Sequence, residues 1–134
     1  SDALNQLLVD SYGALLQAQR IHWNLEGDDF YDYHKLTEAI YDEQFDAIDE
    51  IAERIRAVGV KVNISPASLA KSSKAAFSDK VADLIKSQEL VVASAKKLIE
   101  AAGKDDDKVS EDLAIGRLAV HEKNIWLLKS QAKK

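Results

Sequence analysis

The stretch DFYDYHKLTEAIYDEQFDAIDEIAERIRAV, residues 29–58, decides the fold. Leu36, Ile40, Ala47, Ile51 and Val58 recur at the period of an amphipathic helix, and at about 100° per residue they fall within a sector of about 60°. His34, Glu38, Asp49 and Glu53 cluster on the opposite side. Phe45 lies among them, flanked by Tyr41 and Ala52, whereas a purely solvated face would not carry a central aromatic. This second face is therefore expected to meet another surface.

The rest of the chain repeats the helical pattern. A first helix is expected from about Asp2 to Leu25, with Leu4, Leu8, Leu15 and Ala18 inward and Gly27 ending it. Asp28 or Asp29 is placed to cap the second helix. Between Gly59 and Ala76 the pattern breaks at Gly59, Pro66 and the pair Ser72 and Ser73, giving a long crossover with room for a short helix at Ala67 to Lys71. That length lets the second and third helices run in the same direction. The third helix is expected to start at an N-cap, Ser78, and to continue through Val81, Leu84, Ile85, Val92, Leu98 and Ile99 to Gly103. The fourth follows Asp105, Asp106 and Asp107 and carries Leu113, Val120, Leu127 and Leu128. No convincing strand alternation and no internal repeat appear. The expectation is an all-α fold: one domain, residues 1–134, built as a four-helix bundle with a short helix in the connection between helices 2 and 3.

Composition agrees. The 134 residues are 46% hydrophobic, with one Pro and five Gly, enough to bury a core of their own. The absence of Cys excludes thiolate metal sites and disulfides and suits a cytoplasmic protein. No apolar run approaches the roughly 20 residues that span a bilayer, and no signal peptide is visible. Ser1 rather than Met opens the chain, leaving room for an N-terminal tail removed or omitted.

Two imidazoles and three carboxylates, His22, His34, Glu38, Asp49 and Glu53, make a candidate metal set. At about 1.5 Å rise per residue, His34 and Asp49 stand about 22 Å apart on one helix, too far to share an ion within one chain. A second copy resolves the conflict. If the helix crosses its twin antiparallel about a two-fold axis, the pairings of His34 with Glu53 and of Glu38 with Asp49 share one midpoint, between Glu43 and Gln44. Such an isologous dimer carries two equivalent sites, with His34 and Glu38 from one subunit and Asp49 and Glu53 from its mate. His22, on the preceding helix, completes the first half. Oxygen-rich ligation with one or two imidazoles suits iron, manganese or zinc and leaves open positions on the metal.

The residues His22-Trp23-Asn24, Gly27, Phe30, His34, Asp49 and Ala52-Glu53-Arg54 resemble the signature of the Dps family of mini-ferritins. Glu122-Lys123 followed by Trp126 resembles that family's last-helix motif, usually Asp-Lys with a Trp three residues on. The resemblance covers nearly the whole chain. It implies a ferritin-like bundle in which His22 and His34 bind iron from one subunit and Asp49 and Glu53 from the two-fold mate. Glu38 stands where many members have Asp, so its longer side chain either reaches the metal or holds a water or hydrogen bond beside it. Trp23 matches a Trp beside the centre that donates electrons to oxidising intermediates; packing at an interface explains it equally well.

The resemblance further implies that Fe(II) is oxidised by hydrogen peroxide in preference to dioxygen, and that Fe(III) mineral is stored inside a hollow dodecamer. Peroxide reduced by two electrons gives water rather than hydroxyl radical, so storage also protects against oxidative damage. Asp107 and Asp112 occupy positions that resemble the acidic lining of three-fold iron-entry pores, where carboxylates draw in cations. Asp105 and Asp106 are explained by helix N-termini favouring negative charge. His121 belongs to neither site and is expected at the surface or an interface.

A ferritin with a di-iron centre inside each subunit would need a Glu-x-x-His motif on each of two helices, but Gln19, Tyr31 and Leu118 precede the three histidines. DNA compaction is opposed by the net charge of −5, and only Lys133 and Lys134 form a terminal basic pair, so DNA binding would need a basic tail. A helical scaffold without chemistry would keep the aromatic and acidic face as a dimer contact alone.

Overall fold

The structure, a computed structural model, describes residues 2–74 and 76–133, the side chain of Ser72 excepted. The regular elements among these residues are helices: α1 (Asp2–Asn24), α2 (Phe30–Ala57), α3 (Pro66–Ser72), α4 (Val81–Lys104) and α5 (Lys108–Ala132). The expected four-helix bundle with a short connecting helix is what forms. None of these helices is long and apolar enough to cross a membrane. Of the terminal basic pair, Lys134 lies outside the described residues.

Side-chain bonds give the directions. Gln17 and Arg20, late in α1, bond Ser78 and Asp79 ahead of α4, while Asp10, earlier in α1, accepts from Ser94 further along α4. So α1 and α4 are antiparallel. Because the five-residue turn after α1 reverses the chain into α2, α2 and α4 run the same way, as the long crossover allows. Arg54 at the end of α2 meets Asp107 and Ser110 at the start of α5, closing the ring.

Several element ends differ from the sequence expectation. Asp29 holds the α2 N-cap position without a side-chain bond. Pro66 begins α3 rather than breaking a helix: its fixed φ suits the first position, and Ser65 and Ser68 form a reciprocal capping box ahead of and within it. Helix α4 starts at Val81, because the Ser78 hydroxyl, which accepts from the Lys80 N–H, donates its own proton to Asp83.

The core is two apolar clusters. One gathers Leu4, Leu8, Ile51, Val91, Leu98 and Ala114 among others; the other gathers Ala18, Ile21, Tyr33, Ile40, Leu84 and Leu128. Leu36 is half-buried, and Val58, expected in the stripe of α2, is 38% exposed because it follows the last helical turn. Between the clusters lies a polar layer of Gln44, Gln88, Arg117 and His121, all buried.

This layer corrects two expectations. His121 is fully buried, not at a surface or interface. In α5, Leu113, Val120 and Leu127 are only partly buried, and the inward stripe is Ser110, Ala114, Arg117, His121 and Leu128. A buried polar group must find a partner. His121 donates from Nδ1 to Gln88 Oε1 at 2.6 Å and accepts at Nε2 from Arg117 at 2.9 Å, which fixes one neutral tautomer. Burial, and then the Arg117 charge, push the imidazole pKa down to about 3.

Candidate metal centre

His22 sits in the last turn of α1 and His34 early in α2, so the intervening turn decides whether they meet. Gly27 in that turn has φ +108°, a backbone state that a side chain disfavours. The imidazoles stack with centroids 3.6 Å apart and planes 15° from parallel. Each donates its Nδ1–H to the other's backbone carbonyl, His22 to His34 O at 2.8 Å and His34 to His22 O at 2.7 Å. The exchange holds Nδ1 protonated and leaves both Nε2 lone pairs free for a cation, the arrangement a metal-binding imidazole needs.

The walls of the pair are aromatic and polar. Phe30 stacks on His34 at 4.9 Å, and Tyr41 meets His22 edge-on at 5.2 Å. Buried Thr37 donates to Tyr33 O at 2.6 Å, and its oxygen stands 3.3 Å from His22 Nδ1. One turn beyond His34, Glu38 brings Oε2 to 4.0 Å from His22 Nε2. Ligand atoms of His22, His34 and Glu38 all lie within 4.8 Å of one another. Two ligands about 2.1 Å from one ion stand up to about 4.2 Å apart, so small side-chain movements suffice to close this set on a single cation.

Asp49 and Glu53 are exposed on the same outward face of α2, past Phe45, which is 69% exposed. They are not brought to the histidines within the chain. They are close to each other: a hydrogen bond to Asp49 and then its charge raise the Glu53 carboxyl pKa above the usual range. A carboxylate pair that hinders its own ionisation favours a cation beside it.

The remaining predicted residues lie elsewhere. Trp23 is 65% exposed and lines a groove with Leu16, Arg20 and Phe77. Asp107 caps α5, accepting from the Ser110 N–H and hydroxyl and pairing with Arg54 Nη2 at 2.7 Å. These bonds, those from Ser110 foremost, hold its carboxyl below the usual range. Asp112 is exposed on the next turn. Sequence reasoning missed Thr37 as a support and Phe30 and Tyr41 as walls. The signal was present, since positions three and seven after His34, and four before it, share its side of a helix.

A helical bundle carrying stacked imidazoles and a carboxylate at one end of a helix face, and paired carboxylates at the other, has the form of a ferritin-like domain, and that family matches residues 1–134. The DNA protection during starvation protein of Helicobacter pylori is 31% identical over 96% of this chain and 95% of its own length. Protein 2 of the same name from Bacillus anthracis is 29% identical, over 96% and 93%. Dps from Staphylococcus aureus superposes with a TM-score of 0.91 at 28% identity, covering 99% of this chain and 94% of that one. Within the ferritin-like class, this chain belongs to the Dps family.

Proposed function

We propose that the protein is an iron-storing mini-ferritin that oxidises Fe(II) at sites shared between two-fold-related copies. The observation that carries this is the split ligand set: His22, His34 and Glu38 preassembled at one end of the α2 face, Asp49 and Glu53 paired at the other. With α2 antiparallel to its twin about a point between Glu43 and Gln44, each imidazole pair faces the mate's carboxylates. Phe45, near that midpoint, supplies the apolar contact.

The roles follow from the donors. Neutral imidazoles and carboxylates suit a first-row divalent ion and leave positions open to an oxidant. Carboxylates from the mate favour Fe(III) over Fe(II), lowering the potential at which iron gives up its electron. Two ferrous ions supply the two electrons that convert hydrogen peroxide, with two protons, into water, so no hydroxyl radical leaves the site. Dioxygen is the slower oxidant. Ferric product then passes to an acidic inner surface of a cage, a dodecamer by family resemblance, with Asp107 and Asp112 at its pores and Trp23 beside the oxidation site as electron donor.

The name of the relatives, DNA protection, is met in this reading by removing iron and oxidant; a net charge of −5 opposes attraction to phosphate, and direct DNA binding would need a basic tail. A cytoplasmic location fits that role. Anaerobic Fe(II) loading followed by peroxide tests the proposal. A soluble ferric core that travels with a large assembly in size-exclusion chromatography is expected. Ferric hydroxide precipitating at the rate of a protein-free control would reject it.

A further inference from the structure

At the edge of the buried polar layer, where α2 meets α5, one atom of Arg117 gathers three acceptors, two of them on buried residues and the third on Glu43, whose side chain is 43% exposed. Arg117 Nη2 lies 2.9 Å from Glu43 Oε1, 2.9 Å from His121 Nε2 and 3.5 Å from Gln44 Oε1. Two N–H bonds cannot serve three acceptors at full strength. Acceptors outnumbering hydrogens is the pattern around a point cation. Nη1 donates to the second Glu43 oxygen at 2.5 Å, while among the described residues Arg117 Nε finds no partner. The guanidinium is thus held by its charged end, and its remaining donor is buried and unsatisfied.

One of the acceptors, His121, does not depend on Arg117 for its direction. The Gln88 bond to Nδ1 leaves the His121 Nε2 lone pair aimed at the same point. A carboxylate, an amide carbonyl and an imidazole, drawn from α2 and α5, make a mixed oxygen and nitrogen set that suits divalent transition metals. Glu43 and Gln44 lie on the side of α2 away from Phe45, so this set shares nothing with His22, His34 and Glu38.

We propose that the Arg117 guanidinium is a built-in counter-cation that closes a latent metal site made by Glu43, Gln44 and His121, keeping divalent metal out of the bundle interior. Arginine suits the task better than lysine in one respect, since its planar fork engages both oxygens of Glu43 at once. Confinement of iron to the outward face of α2 rests on the proposed function; exclusion from the interior does not.

Cobalt(II) tests the exclusion, with its ligand-field absorption reporting uptake. In a chain carrying His22→Ala and His34→Ala to silence the outer set, little cobalt should bind. Adding Arg117→Ala should create about one site per chain, and further adding His121→Ala should remove it. Arg117→Lys, which keeps a cation, should create none. The proposal is overturned if the Arg117→Ala chain unfolds cooperatively yet takes up no more cobalt than its parent, or if the added uptake survives His121→Ala. Should Arg117→Ala not fold, Arg117→Gln carries the same expectation. Anomalous scattering from cobalt-soaked crystals of the unaltered chain is the second measurement: cobalt between Glu43 and His121 overturns the inference. Absence of cobalt at His22 and His34 in the same crystals counts against the proposed function and leaves the exclusion standing.

Discussion

His121 has two ring nitrogens committed to Gln88 and Arg117 and no room for a second proton. An imidazole whose pKa falls from 6.5 to about 3 on folding binds its proton more readily in the unfolded chain. Its contribution to stability is complete above the unfolded value and is lost as pH falls through the interval down to about 3. The slope approaches about 1.4 kcal/mol per pH unit for one proton. Urea midpoints measured at fixed protein concentration should therefore drop with acidification, and His121→Gln should flatten that slope while lowering stability at pH 7. At the metal centre, His34→Ala removes one ligand together with the bond it makes to the His22 carbonyl, so Fe(II) affinity should fall at least about 10-fold. The closeness of His22, His34 and Glu38 was legible at this scale, because helical spacing puts His34 and Glu38 one turn apart. The His121 environment was not: the sequence gives no sign that Arg117, one turn earlier on α5, turns inward with it, or that the fold brings Gln88 of α4 to its other nitrogen.

The turn between α1 and α2 is the element on which the histidine pair depends. Gly27 at φ +108° has open space around the position a Cβ would take, so Gly27→Ala meets no clash and its cost is purely conformational. That cost is about 1–3 kcal/mol, visible as a lower melting temperature, with weaker Fe(II) binding wherever the turn relaxes. At the other end of α2, Asp107→Ala removes a cap and an ion pair together and should cost about 1–2 kcal/mol. Asp107→Asn keeps the cap and should recover part of the loss. Helices α1, α2 and α4 were legible because they bury apolar stripes. Helix α5 was legible as a helix but not in its facing, because it turns Arg117 and His121 inward where the pattern offered Val120 and Leu127. The Ser65 cap of α3, and the diversion of the Ser78 hydroxyl to Asp83 and the Lys80 N–H, depended on hydroxyl partners that only the folded chain reveals.

At the scale of the whole molecule, the proposed sharing of the site between copies has its own signature. A chain lacking both histidines and a chain lacking both Asp49 and Glu53 should each be inactive alone. Mixed in equal parts and allowed to exchange, half the dimers pair one of each, and every such dimer regains one intact site of two, restoring about a quarter of the ferroxidase rate. Sites contained within one subunit would regain nothing. The two-fold pairing could be proposed from the sequence because an antiparallel crossing leaves a midpoint in residue numbers; a dodecamer leaves no such trace in a single chain and rests on family resemblance.

Helix α5 faces inward with Ala114, Leu128 and a set of hydrogen-bonded polar side chains, and outward with Val109, Ile115 and Trp126, each at least half exposed. A chain on its own therefore presents an apolar outer face on a helix that is otherwise firmly tied to α2 and α4. If copies associate through this face in the proposed cage, the polypeptide should resist proteolysis better as its concentration rises, which digestion at two protein concentrations would measure.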